Sequence, residues 1–124
     1  MKEVQGEGLP KPVGAYSVAV VSEAANLIFI SGQLPIKDGE VFKGDLKEQV
    51  KIIMENCKMI LKAAGSSLDK VLKVTVYIKD MSKFGEFNEV YATYFKKPYP
   101  ARAVVEVNKL PKNADIEIEM IAEK

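Results

Sequence analysis

Leu27–Ser31, LIFIS, restricts the fold more than any other stretch of the 124-residue chain. It has the length and β-forming composition of a strand but lacks the polar alternation of a strand with one wet face, so both of its faces need cover. The segment before it, Ala15 to Val21, reads as a second strand joined to it by a short polar turn. Only two helices are legible further on, and two helices cover one side of a sheet. The other side requires a second copy of the chain.

The first helix is read over Leu46 to Ala64. Asp45, followed three residues later by Glu48, forms a capping-box start, and Gly65 supplies a left-handed stop. Leu46, Val50, Ile53, Cys57, Ile60, Leu61 and Ala64 recur at helical spacing and mark its core stripe. In KVLKVTVYIKD the period drops to two, with Leu72, Val74, Val76 and Ile78 on one face and Lys73, Thr75, Tyr77 and Lys79 on the other. The second helix lies in SKFGEFNEVYATYFKK, with Ser82 as cap and Phe84, Phe87, Val90, Tyr91, Tyr94 and Phe95 as a broad aromatic side. Pro98 and Pro100 end it. RAVVEVN and DIEIEMIAE close the chain as strands. The order β-β-α-β-α-β-β predicts a single α+β domain over 1–124, a mixed sheet with both helices packed on one face. The uncovered face predicts an obligate homo-oligomer with ligand clefts where subunits join.

Composition removes whole classes of chemistry. There is no histidine and one cysteine, so the usual metal sites, Ser-His and Cys-His nucleophile systems and an internal disulfide are all missing. Lys and Arg number 18 against 17 Asp and Glu, which argues against a dedicated nucleic-acid or membrane surface. The short basic stretch FKKPYPAR is offset by acids elsewhere. No apolar run approaches bilayer-crossing length and MKEVQGEGLPKP lacks a signal peptide's apolar core, so a cytoplasmic protein is expected.

Alternation along Arg102 to Asn108 is read with Ala103, Val105 and Val107 toward the helices and Arg102, Val104 and Glu106 on the opposite face. On the last strand Ile116, Ile118 and Met120 take the helix side and Glu117 and Glu119 the other. Arg102 and Glu117 are thereby expected on the one face that the oligomer buries. Two readings stand. They form a structural pair at a subunit rim or sit in solvent, or Arg102 is a planar fork for a small carboxylate with Glu117 as proton-transfer or water-positioning group. Tyr16 and Ser17 are strand-entry residues or a cleft wall. Ser31 and Gly32 line a pocket or make a simple turn, and Asn88 is the polar edge of the aromatic helix or a cleft residue. Cys57 reads as a core thiol.

VGAYS, IFISGQLP, NCKMILKAAGSSLDKVLKVTVYIKDM, FNEVYATYF, PARAVVEV and LPKNADIEIEMIA together resemble the RidA family, also called YjgF/YER057c/UK114, in register over nearly the whole chain. The resemblance implies a chorismate-mutase-like α+β fold assembled as a homotrimer with three clefts between subunits. It implies hydrolytic deamination, without a cofactor, of 2-aminoacrylate-type enamines and their imines (2-iminobutanoate, 2-iminopropanoate) to 2-oxo acids and ammonia. The family's carboxylate-binding arginine corresponds to Arg102 in PAR and its acid near the reacting water to Glu117 in IEIE. Its cleft tyrosine, serine and asparagine correspond to Tyr16, Ser31 and Asn88, with Gly32 beside the serine. Ala15 departs from a frequent proline. Val104 departs from a frequent cysteine, leaving only its backbone N–H to bind a carboxylate. A nearby Arg102 would keep Glu117 ionised whereas burial would keep it neutral. Two other functions remain open at this point, a non-catalytic 2-oxo acid binder and an RNA-cleaving translation inhibitor.

Overall fold

The computed structural model describes residues 1–124. Ten elements follow in order: β1 (Lys2–Glu3), β2 (Ala19–Ser22), β3 (Leu27–Gln33), β4 (Ile36–Lys37), β5 (Glu40–Val41), α1 (Leu46–Ala63), β6 (Val71–Ile78), α2 (Phe84–Tyr91), β7 (Ala101–Glu106) and β8 (Ile116–Glu123). Six strands form one sheet in the order β1-β2-β3-β8-β6-β7, and β4 and β5 form a separate small hairpin. Only β6 and β7 run parallel; the other neighbours in the large sheet are antiparallel. This is the mixed α+β sheet with two helices on one face that the periodicities predict. No helix is long and apolar enough to cross a membrane.

Each helix forms where local chemistry permits. Asp45 caps α1 by accepting from the Lys47 N–H at 3.3 Å, one position earlier than a capping box with Glu48 requires. Gly65, at φ 82°, provides the left-handed exit. The stripe Leu46, Val50, Ile53, Cys57, Ile60, Leu61 and Ala64 is buried throughout, together with Met54. It meets Ile28, Ile30, Val74, Val76, Ile78, Ile116, Ile118 and Met120 from the sheet in one core. Each large aliphatic side chain so buried contributes about 1.5–3 kcal/mol. Cys57 is sealed inside this core and burial pushes its thiol up to about 12, which makes it inert packing. Asp80, and not Ser82, caps the turn that leads into α2, its carboxylate accepting from the Ser82 N–H at 3.0 Å.

Three strand assignments differ from the expectation. The ladder of β2 begins at Ala19, because the Tyr16 N–H bonds back to the Gly14 carbonyl at 2.9 Å in a tight turn that takes Ala15–Ser17 out of the sheet. On β6, a register shift opposite β8 between Val71 and Lys73 turns Val71 into the core and leaves Leu72 43% exposed.

The third difference inverts β7. Parallel pairing sets Arg102, Val104 and Glu106 beside Val74, Val76 and Ile78, all three of which point under the helices. Neighbours across a ladder share a face, so Arg102, Val104 and Glu106 lie on the helix side and Ala103 and Val105 on the uncovered side. Period-two alternation defines two faces but not which one is covered. Here α2 ends over the edge strand, where Arg102 and Glu106 reach its rim without losing water, and the Glu106 carboxylate accepts from the Met81 N–H at 2.9 Å. The uncovered face is still apolar, through Phe29 and Val105, 41% and 43% exposed, backed by Val20 and Ile121.

Candidate functional site

Arg102 is held by α2. Phe84, Phe87, Asn88 and Tyr91 fall at helical spacing on one side of that helix and face β7. The guanidinium carbon lies 5.4 Å from the Phe84 ring centre, 5.6 Å from Phe87 and 4.9 Å from Tyr91. These are cation–π distances. Arg102 Nη1 donates to the side-chain amide oxygen Oδ1 of Asn88 at 2.7 Å, a charge-assisted bond. The aromatic floor and this single bond hold the fork, while Arg102 itself is exposed and its remaining N–H groups have no acceptor in the chain. Beside it, the Val107 N–H bonds to the Ile78 carbonyl at 2.9 Å. Backbone groups along a strand alternate sides, so the Val104 N–H points to the open edge of the sheet. One group under the fork is unexplained by packing: the Tyr91 hydroxyl is buried with no hydrogen-bond partner. Burial pushes this phenol up to about 12 although Arg102 pulls it down.

Glu117 belongs to a different constellation. The β3–β8 register shifts between Ile30 and Gln33, bulging the backbone at Ser31 and Gly32. Glu117 packs onto that bulge so closely that a Cβ on Gly32 would stand 2.7 Å from its carboxyl carbon. Only glycine leaves the carboxylate this space. Burial raises the Glu117 pKa above the usual carboxylate range, and the neighbouring Glu119 adds to the shift. Glu119 is itself fixed by the Tyr77 hydroxyl, which donates to it at 2.8 Å. The Ser31 hydroxyl donates to the Ser17 carbonyl at 2.6 Å, tying the bulge to the segment that carries Tyr16. Tyr16 is exposed, and its oxygen accepts from the Val13 N–H at 3.4 Å. An open cleft of about 1140 Å³ is lined by Tyr16, Ser31, Gly32, Tyr77, Glu117 and Glu119.

The expected site residues therefore divide into two separate clusters within one chain. Tyr16, Ser31, Gly32 and Glu117 share the cleft; Arg102, Asn88 and Val104 gather at the sheet edge on the helix side. The expected common face for Arg102 and Glu117 is overturned by the pairing of β7, and Arg102 is not among the groups acting on Glu117. Within one chain, burial and then Glu119 raise the Glu117 pKa with no opposing pull from Arg102. Sequence reasoning missed Tyr77 and Glu119 as a clamped pair and the three rings as the floor of Arg102. The signals lie in the alternation of β6, which puts Tyr77 on the face of Glu117 and Glu119, and in the helical spacing of the aromatics.

The sequence profile of the family described as Endoribonuclease L-PSP matches residues 7–124. A RutC family protein of Pyrococcus horikoshii is 56% identical over 127 aligned positions, which span 100% of this chain and 99% of that protein. Among solved structures, RidA from the Antarctic bacterium Psychrobacter sp. PAMC 21119 superposes with a TM-score of 0.93 at 40% identity, covering 100% of both chains. E. coli TdcF, solved with bound serine, superposes with a TM-score of 0.91 at 36% identity, covering 100% of this chain and 99% of that one. With the profile matched over nearly its whole length and relatives aligned end to end, this chain belongs to the Endoribonuclease L-PSP family, the RidA/YjgF proteins.

Proposed function

We propose that the chain, acting as one unit over residues 1–124, hydrolyses small 2-imino acids and their enamine tautomers to 2-oxo acids and ammonia in the cytoplasm. The observation that carries this reading is the pre-set fork of Arg102, oriented by Asn88 and three rings and open toward a planar anion. Support also comes from TdcF, whose bound serine is a small amino acid with the carboxylate that such a fork grips.

In this reading Arg102 and the Val104 N–H bind the substrate carboxylate and fix the C=N group beside it. Glu117, whose proton is retained beyond the ordinary carboxylate range, gives that proton to the imine nitrogen. As carboxylate it then takes a proton from a water whose oxygen adds to the imine carbon. Glu117, protonated again, passes that proton to the amino nitrogen of the carbinolamine; its carboxylate then takes the O–H proton as C=O forms and the C–N bond breaks, so that imine plus water becomes 2-oxo acid plus ammonia and Glu117 ends protonated. Tyr16, Ser31 and Gly32 form the cleft wall on the Glu117 side. The two half-sites act on one molecule when different copies supply them. The apolar face of Phe29 and Val105 favours such an assembly, which we propose is a homotrimer with three shared clefts.

The test feeds threonine to a dehydratase that releases 2-iminobutanoate and follows 2-oxobutanoate formation with and without this protein. Acceleration over spontaneous hydrolysis, lost in Arg102→Ala, is the expected result. No acceleration by the assembled protein overturns the reading. Saturable 2-oxobutanoate binding without turnover would instead establish a carboxylate-binding role, which the serine of TdcF also suits. The family's description names an endoribonuclease. Salt-sensitive RNA cleavage by the purified protein would favour that activity.

A further inference from the structure

We infer that Tyr91 is a positioning residue for Arg102: after a small turn of the guanidinium, the buried phenol oxygen accepts one of its N–H groups and, with Asn88, pins the plane of the fork. Four rings run in series along α2 and beyond it, Phe84, Phe87, Tyr91 and Phe95, with successive centres 5.9, 5.2 and 4.8 Å apart. Three of the four are hydrocarbon. The one hydroxyl sits on the ring nearest the Arg102 guanidinium carbon, at 4.9 Å. Tyr91 is 6% exposed and its oxygen meets no partner in the chain, whereas a phenylalanine would fill the same space without an unsatisfied polar atom. Packing therefore disfavours the hydroxyl that the site retains.

The chemistry of the neighbour explains what the oxygen is for. A guanidinium has only donors, so beside it the phenol can act only as acceptor. Arg102 has one acceptor in the chain, the Asn88 side-chain Oδ1, on Nη1. A planar group held at one nitrogen and stacked on rings can still swivel in its own plane, and a second acceptor removes that freedom. Carboxylate recognition through two parallel N–H bonds gains from this, because the ligand then meets a fork already set. With the guanidinium carbon 4.9 Å from the Tyr91 ring centre, a small turn is enough to bring an N–H group to the phenol oxygen.

The value of this positioning rests on the reading of Arg102 as a carboxylate clamp, so two measurements keep them apart. The first is nitrogen NMR of the Arg102 guanidinium in the ligand-free protein, wild type against Tyr91→Phe. The second is calorimetric binding of 2-oxobutanoate to both, with melting temperature recorded. The inference expects slowed guanidinium rotation in wild type, faster rotation in Tyr91→Phe, an unchanged or raised melting temperature, and affinity about tenfold weaker. Equal rotation in the two proteins overturns it, whatever the ligand does. A fall in melting temperature with equal rotation assigns the hydroxyl to packing or to a contact with another copy, and overturns it too. If rotation differs but wild type binds no 2-oxobutanoate, the positioning role stands and the carboxylate reading falls.

Discussion

Arg102 and Glu117 stand on opposite faces of one sheet, on strands separated by β6. Arg102 pairs with Val74, which pairs in turn with Met120, three residues along β8 from Glu117. Two interstrand spacings place their backbones about 10 Å apart across the sheet and three residues about 10 Å along it. One small imino acid cannot span that distance and also pass through the sheet. Either the two residues serve unrelated purposes or each completes a half-site on a neighbouring copy.

Mixing variants distinguishes these outcomes. Arg102→Ala and Glu117→Gln are each expected to be inactive alone, while an assembly reformed from equal amounts of both regains roughly a quarter of wild-type sites, since each site draws its two residues independently from two subunits. Imine hydrolysis after joint unfolding and refolding is the readout. Recovery of no activity by verified mixed assemblies would mean that the two residues do not share a site.

Arg102→Lys retains the cation but removes the planar fork, and it is expected to lose about 10- to 150-fold in carboxylate affinity, the equivalent of about 1.5–3 kcal/mol for a charged hydrogen-bonded pair. Asn88→Ala, which frees one end of the guanidinium, should weaken binding by about tenfold. Titration with 2-oxobutanoate measures both. Arg102→Lys at wild-type affinity would show that charge alone is used.

Gly32→Ala tests the cradle under Glu117. The added Cβ would stand 2.7 Å from the carboxyl carbon, so the carboxylate must move. A displacement on the order of 1 Å at a reacting group costs about 100-fold in rate. Because Arg102 lies elsewhere, kcat is expected to fall with KM little changed. Equal turnover in Gly32→Ala and wild type would exclude Glu117 from the chemical step.

The pH dependence of stability follows from the same carboxyl. Glu117 in the fold has a pKa raised by burial and then by Glu119, so the folded state keeps a proton that the unfolded chain has released. Its contribution is therefore most favourable below the ordinary glutamate value of 4.5 and is lost as pH climbs from there through the folded pKa. Glu117→Gln should flatten that decline in melting temperature, and Glu119→Gln should shift it to lower pH. A decline that persists unaltered in both variants would assign it to other groups.

Much of this protein was legible in its residues. The stripe of α1 was set by the recurrence of apolar residues from Leu46 to Ala64, and the alternation of β6 and β8 followed from the two-residue repeat of a pleated strand. That the sheet would carry an apolar second face was also legible, because LIFIS is apolar on both sides, and Phe29 is indeed left 41% exposed on the face without helices. The orientation of β7 was not, since RAVVEV alternates equally well either way up. Only its parallel register beside Val74 and Val76 decided that Arg102 rises to meet Asn88 and Tyr91 while Val105 faces outward. Local repeats are properties of adjacent residues and survive in the sequence, whereas which face is covered depends on contacts between segments far apart in the chain, and that is fixed only when the sheet assembles.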